Sequence, residues 1–181
     1  MLKVLKGSNL LYASREEDGS YRLAGPPQFL RALWGIPTTL RTVLKNPEDH
    51  PEVSQRLIPL TYNDAEKEKE LLRLTGEAML ERQLAKVAMF ERILASSEEG
   101  MGAIRIAEKD FDAFIAILTD IRLVMASFLN IEDEEWEDNL TEEQLMEPWV
   151  AMLHLTSGIQ QILLEATGMV SDLDIDPEVD L

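Results

Sequence analysis

The sequence predicts a mainly α fold, a small helical bundle with a minor N-terminal β-hairpin or two-stranded sheet. Three observations predict it. Apolar residues recur at steps of three and four through three long stretches. Two of those stretches open on capping signatures, Asn63-Asp-Ala-Glu66 and Thr141-Glu-Glu-Gln144. Short strand-like runs occur only near residues 10–23 and 103–107.

Taken in order, Leu10, Leu11 and Tyr12 face Tyr21 and Leu23 across a turn at 16–19, which predicts the hairpin. Helix follows from Pro26, with Phe29, Leu30, Leu33 and Trp34 on one face; Gly35 and Pro37 interrupt it, and helix resumes over 38–45. Residues 46–51, rich in Pro, Asn and Asp, read as a turn-rich link. Asn63 is expected to cap a helix reaching Ala95, with Glu66 bonding back to the Asn63 amide. Its stripe is Leu72, Met79, Leu80, Leu84, Val87, Phe90 and Leu94. A helix of about 30 residues is a rod of roughly 45 Å, longer than a small domain needs, so part of its face is expected to meet a second chain as a homodimer.

A short strand over 103–107 precedes a helix expected from Glu108 to Asn130, apolar nearly all round and so placed at the centre of the bundle. The hexapeptides 19–24 and 102–107 echo each other, a likeness that either pairs them as a small sheet or arises by chance. From Thr141 a last helix is expected to reach Thr167, with Leu145, Trp149, Met152, Leu153, Ile159 and Leu163 inward and Gly168 as its stop.

With 181 residues, the chain suits one domain: residues 1–168 as a single helical domain and 169–181 as an acidic, flexible tail. The absence of cysteine excludes disulfides, thiolate metal ligands and cysteine nucleophiles. No secretory signal and no apolar run of about 18 residues is present, so a cytoplasmic, non-membrane protein is expected.

Net charge is −17, and its placement is uneven. Residues 1–60 hold 8 Lys and Arg against 6 acids, whereas residues 132–181 hold 15 acids and no Lys or Arg. Such an end repels phosphate backbones and anionic lipid, which argues against nucleic acid or a membrane surface as partner and for a basic protein partner. A DNA-binding reading would need Arg22, Arg31 and Arg41 to share a face.

Residues 132–143 contain 8 acids around Trp136 but lack the Gly and the spacing of a calcium loop, so they read as a solvated interhelical segment with Trp136 as a partner contact. In the tail, acids alternate with Leu173, Ile175 and Val179, a pattern suited to disorder or to strand addition on a partner. His50 and His154 are the only histidines and suit no metal pair. Arg122, inside the most apolar helix, is the residue that needs explaining. If buried it requires a carboxylate from another helix, because Asp120 lies two residues away and points elsewhere. A structural ion pair is one reading. The other is a small-molecule or enzyme site between helices, built from Arg122, His154 and Gln160. No nucleophile elbow, P-loop or dinucleotide motif occurs; no catalytic residue, metal ligand or cofactor is expected.

The stretches Arg73-Leu-Thr75, Leu80-Glu-Arg-Gln-Leu-Ala85, Leu118-Thr-Asp-Ile-Arg-Leu123 and 155–163 resemble the uncharacterised actinobacterial family known as domain of unknown function 2017. Together they span about 57–168. The segment at 119–123 is similar to the family's Asn-Asp-x-Arg-Leu, with Thr119 as a departure, and the N-terminal start is longer and less basic than that of other members. The resemblance implies a helical cytoplasmic protein with no established activity. The family's gene neighbourhood, beside the Clp protease adaptor, implies a link to proteolysis-based regulation.

Overall fold

A computed structural model describes residues 10–58, 61–96, 102–131, 136, 140–145 and 147–168. Within them the fold is mainly α, with a small antiparallel sheet of three strands in the order β1-β2-β3.

Strands β1 (Tyr12–Arg15) and β2 (Tyr21–Ala24) form the expected hairpin. Its turn is closed by Gly19 at φ 83° and by the Asp18 carboxylate, which accepts from the Ser20 amide at 3.1 Å and the Ser20 hydroxyl at 2.6 Å. The two echoing hexapeptides do pair: β2 lies antiparallel to β3 (Ala103–Ile106), with Leu23 opposite Ile104 and Tyr21 opposite Ile106. The sheet therefore has three strands rather than two. Its inward face is Tyr21, Leu23, Ile104 and Ile106, all buried, with Tyr21 tilted against Phe111 at 4.1 Å.

Helix α1 (Pro27–Ala32) passes through a 3-10 turn (Leu33–Gly35) into α2 (Ile36–Lys45). Gly35 and Pro37 tighten the path without breaking it, because Pro37 occupies the first turn of α2, where its missing N–H costs nothing. Of the four residues expected on one buried face, Leu30 and Leu33 are inside, while Phe29 and Trp34 stay exposed. The expected link at 46–51 ends sooner than the sequence suggested. Pro51 opens a short helix α3 (Pro51–Leu57), which buries Val53 and Leu57 at i, i+4.

Helix α4 (Ala65–Ala95) ends where predicted but is capped by Asp64 and not by Asn63. The Asp64 carboxylate accepts from the Glu66 and Lys67 amides at 3.0 and 3.2 Å. Its third helical residue is then Lys67, which has no acceptor to return, so the reciprocal bond expected from Glu66 does not form. The apolar stripe divides along the rod: Val87, Phe90 and Leu94 are buried, whereas Leu72 and Leu74 face solvent.

A 3-10 turn (Glu108–Asp110) precedes α5 (Phe111–Phe128), the central helix as expected. It buries Phe111, Phe114, Ile117, Leu118, Ile121, Val124 and Met125, and packs against α2, α3, α4 and α7. Phe114 stacks on Phe90 of α4 at 4.6 Å. The helix stops by a Schellman arrangement: Asn130 takes φ 53°, its amide bonds to the Ser127 carbonyl, and the Ile131 amide bonds to the Ala126 carbonyl at 2.9 Å.

The capping box at Thr141 forms in full, with Gln144 N donating to Thr141 Oγ1 at 3.2 Å and Thr141 N donating to Gln144 Oε1 at 3.0 Å. It opens only the four-residue α6 (Glu142–Leu145). The single helix expected over 141–167 is broken before Pro148, since the residue preceding a proline is driven to extended backbone, here Glu147 at ψ 137°. Helix α7 (Pro148–Ala166) starts there, and Gly168 at φ 71° follows its end. It buries Val150, Leu153, Thr156, Ile159 and Leu163, while Trp149, expected inside, remains 40% exposed. No helix of the described residues is long and apolar enough to cross a membrane.

Candidate functional site

Helices α5 and α7 run side by side through the bundle, and the polar residues on their facing edges meet. Thr119 and Arg122 are one turn apart on α5, so they project along the same edge. Arg122 Nη1 donates to Gln160 Oε1 of α7 at 2.6 Å, and Gln160 Nε2 donates to Thr119 Oγ1 at 3.0 Å. Thr119 in turn donates to the Ile115 carbonyl at 3.2 Å, so its one proton is committed and it must accept from the amide. That fixes the orientation of Gln160 and turns its carbonyl oxygen toward the guanidinium.

The partner of Arg122 therefore comes from another helix, as expected, but it is a neutral amide. Among the described residues no carboxylate meets this cation. Its Nε is buried without a partner. The neighbouring Asp120 faces the other way and reaches Lys86 of α4 at 3.4 Å. Burial raises the Asp120 carboxyl above its ordinary value, and Lys86 offsets only part of that rise.

Beside Arg122 a cleft of about 370 Å³ opens between α5 and α7. Leu123, Ala126, Ile131 and Leu153 make its apolar walls, and Thr119, Arg122 and Ser157 supply polar groups. Trp136 and His154 complete the lining, their rings 6.0 Å apart and inclined by 23°. Three residues singled out from sequence, Arg122, Gln160 and His154, are thus brought to one place, together with Trp136. The apolar walls were not foreseen: Leu123 falls outside the inward stripe of α5, and Ile131 follows the end of that helix.

A second concavity, about 220 Å³ and almost wholly apolar, lies where the start of α7 meets α2. Ile36, Ile121 and Met152 line it, with Trp149 and Pro148 at the edge. Trp149 also lies edge-on to Phe128 at 5.6 Å, and Phe128 meets His50 at 5.5 Å. His50 and His154 are therefore engaged by different aromatic partners.

Two of the three arginines of the DNA-binding reading, Arg22 and Arg41, are separately held. Arg22 Nη1 donates to the Tyr12 hydroxyl at 2.6 Å, and Arg41 pairs with Glu91 of α4. Among the described residues no group of three or more His, Asp or Glu side chains is placed to hold a metal ion. Leu173, Ile175 and Val179, and the acids of 132–139, lie outside the described residues.

The family model described as domain of unknown function (DUF2017) matches residues 9–167. No curated protein and no solved structure gives a match.

Proposed function

The chain belongs to this family, whose description assigns no activity, and from that premise we propose that it is a non-enzymatic interaction protein that docks a basic, amphipathic segment of a protein partner. The carrying observation is the apolar groove between α2 and α7, lined by Ile36, Ile121 and Met152 with Trp149 at its edge. Trp149 is 40% exposed, and Trp34, beside groove residue Gly35, is 44% exposed. Tryptophan is among the side chains most enriched where binding energy concentrates. Charge supports the choice of occupant: residues 132–181 carry 15 acids and no Lys or Arg, and Glu147 adjoins the groove residue Pro148.

A labelled helical peptide of alternating Lys and Leu faces, titrated by fluorescence anisotropy, tests the reading. Trp149→Ala is expected to weaken it by about tenfold or more, the scale of a modest hot spot, and salt to weaken it further. No binding at low salt, or binding indifferent to Trp149→Ala, overturns it.

Self-association as a homodimer is a second part of the proposal, supported by the exposed Leu72 and Leu74 on the outer half of α4. In the sequence there, Glu66, Glu68 and Glu70 balance Lys67, Lys69 and Arg73 in charge, so two copies can approach antiparallel in spite of their net charge. Light scattering on Leu74→Glu against the unaltered chain tests it, a monomer in both being the adverse result. Regulation is proposed to act on Clp-type proteolysis; an unchanged rate of Clp substrate degradation on adding the chain counts against that context.

A further inference from the structure

We propose that the α5–α7 cleft is a binding site for a small aromatic monocarboxylate, with Arg122 as its anion receptor. The inference does not depend on the groove at α2.

Charge comes first. A guanidinium keeps its proton at any physiological pH and offers five N–H donors. In this fold Arg122 gives one of them to the neutral Gln160 Oε1, while its Nε–H is buried and meets nothing. An incompletely paired cation in a partly dry site costs stability, and a carboxylate is the group whose two oxygens match the fork. Among the described residues lining the cleft, Arg122 is the one permanent cation, so the complementary ligand carries a single negative charge.

Shape decides the rest of the ligand. A volume of about 370 Å³ lies within the usual range for small-molecule sites, roughly 300–1,000 Å³. Leu123, Ile131 and Leu153 present hydrocarbon, and the Trp136 and His154 rings, stacked 6.0 Å apart, add aromatic surface against which a planar group can pack. The Thr119–Gln160–Arg122 chain holds the guanidinium in place before anything binds, which spares the complex the entropy of ordering it.

Benzoate and its neutral isostere benzamide are the probes, followed by calorimetry and by tryptophan fluorescence. Benzoate is expected to saturate the intact chain in the millimolar range or below, and benzamide to bind at least about tenfold more weakly. Arg122→Gln should remove that preference, and Trp136→Phe should abolish the fluorescence response. Ser157→Phe, which fills the cleft without altering charge, should block both probes. It also keeps the test alive if Arg122→Gln fails to fold by circular dichroism. Equal affinity for the two probes, benzoate binding that survives Ser157→Phe, inorganic phosphate competing as well as benzoate, or no saturation by about 20 mM benzoate each overturns the proposal.

Discussion

Replacing Gln160 by Glu changes the charge of the acceptor beside Arg122 and almost nothing of its shape. The acceptor oxygen stands 2.6 Å from Arg122 Nη1, which puts the two unit charges of the variant about 4 Å apart. At an effective dielectric of about 20 that is worth ~4 kcal/mol. Two costs oppose it. Desolvating a carboxylate at a half-buried position takes back a few kcal/mol, less than the several expected for full burial. The amide's bond to Thr119 is also lost, about 1 kcal/mol. Thr119 recovers part of this by turning its proton from the Ile115 carbonyl, 3.2 Å away, to the new carboxylate. The balance is a stabilisation on the order of 1 kcal/mol, or roughly 2–4 °C in Tm for a domain of this size. Its pH dependence has a definite sign. Arg122 holds the folded-state pKa of the new carboxyl below its unfolded value of about 4.3, so the gain is complete above that value and disappears as pH falls through the folded one. Thermal denaturation at pH 7 and pH 3 reads both quantities. A Gln160→Glu chain less stable than the original at pH 7, or shifted equally at both pH values, would refute the reasoning, because it would mean that the cation is already neutralised. The same variant should lose benzoate binding, its receptor being occupied from within.

Phe114→Ala removes a fully buried ring stacked on Phe90 and should cost about 3–5 kcal/mol in urea denaturation; a loss under 1 kcal/mol would mean that α5 is not the packing centre. Gly102→Ala should cost about 2–3 kcal/mol, since φ is +59° and the added carbon would stand 2.8 Å from the Gly25 carbonyl oxygen. Gly158→Ala, in open helix, should instead gain about 0.5–1 kcal/mol; equal effects on Tm would discredit the assigned backbone. Asp120 holds its proton to a higher pH than an ordinary carboxyl, chiefly through burial. Its contribution to stability is therefore full below the unfolded carboxyl pKa and lost as pH rises through the folded value. The stability of Asp120→Asn relative to the native chain should accordingly rise between pH 4 and pH 7, and a flat or falling difference in urea midpoints would contradict the assignment.

What the sequence disclosed follows from which forces are local. The helices α4, α5 and α7 were legible because their stripes are long and regular, and so was the Thr141 box, whose partners lie three residues apart. The cap of α4 was misplaced by one residue: Asn63 and Asp64 are equally good acceptors, and only the entry path of the chain chooses Asp64. The break before Pro148 was available in principle, since proline acts on its own predecessor, but the apolar period continues across it and outweighed the local sign. Helix α3 was hidden because seven residues with two buried contacts make no periodicity. At the site, Arg122 drew notice as a charge in an apolar helix. Gln160 was singled out as a polar group converging with it, but not as its direct partner in place of a carboxylate, because a glutamine 38 residues away has no sequence signature of pairing.

The two charges in the middle of α5 show why the cleft holds a receptor and not only a structural contact. Asp120 and Arg122 sit two residues apart on the most buried helix, and each must be met from outside it. The fold answers the first with a full opposite charge, Lys86 from α4. It answers the second with an amide from α7, leaves Nε unpaired, and places about 370 Å³ of half-apolar room next to it. A purely structural arginine gains nothing from that arrangement, because Glu at position 160 would, on the balance worked out above, leave the fold more stable. The difference in treatment is intelligible if the missing negative charge arrives with a ligand.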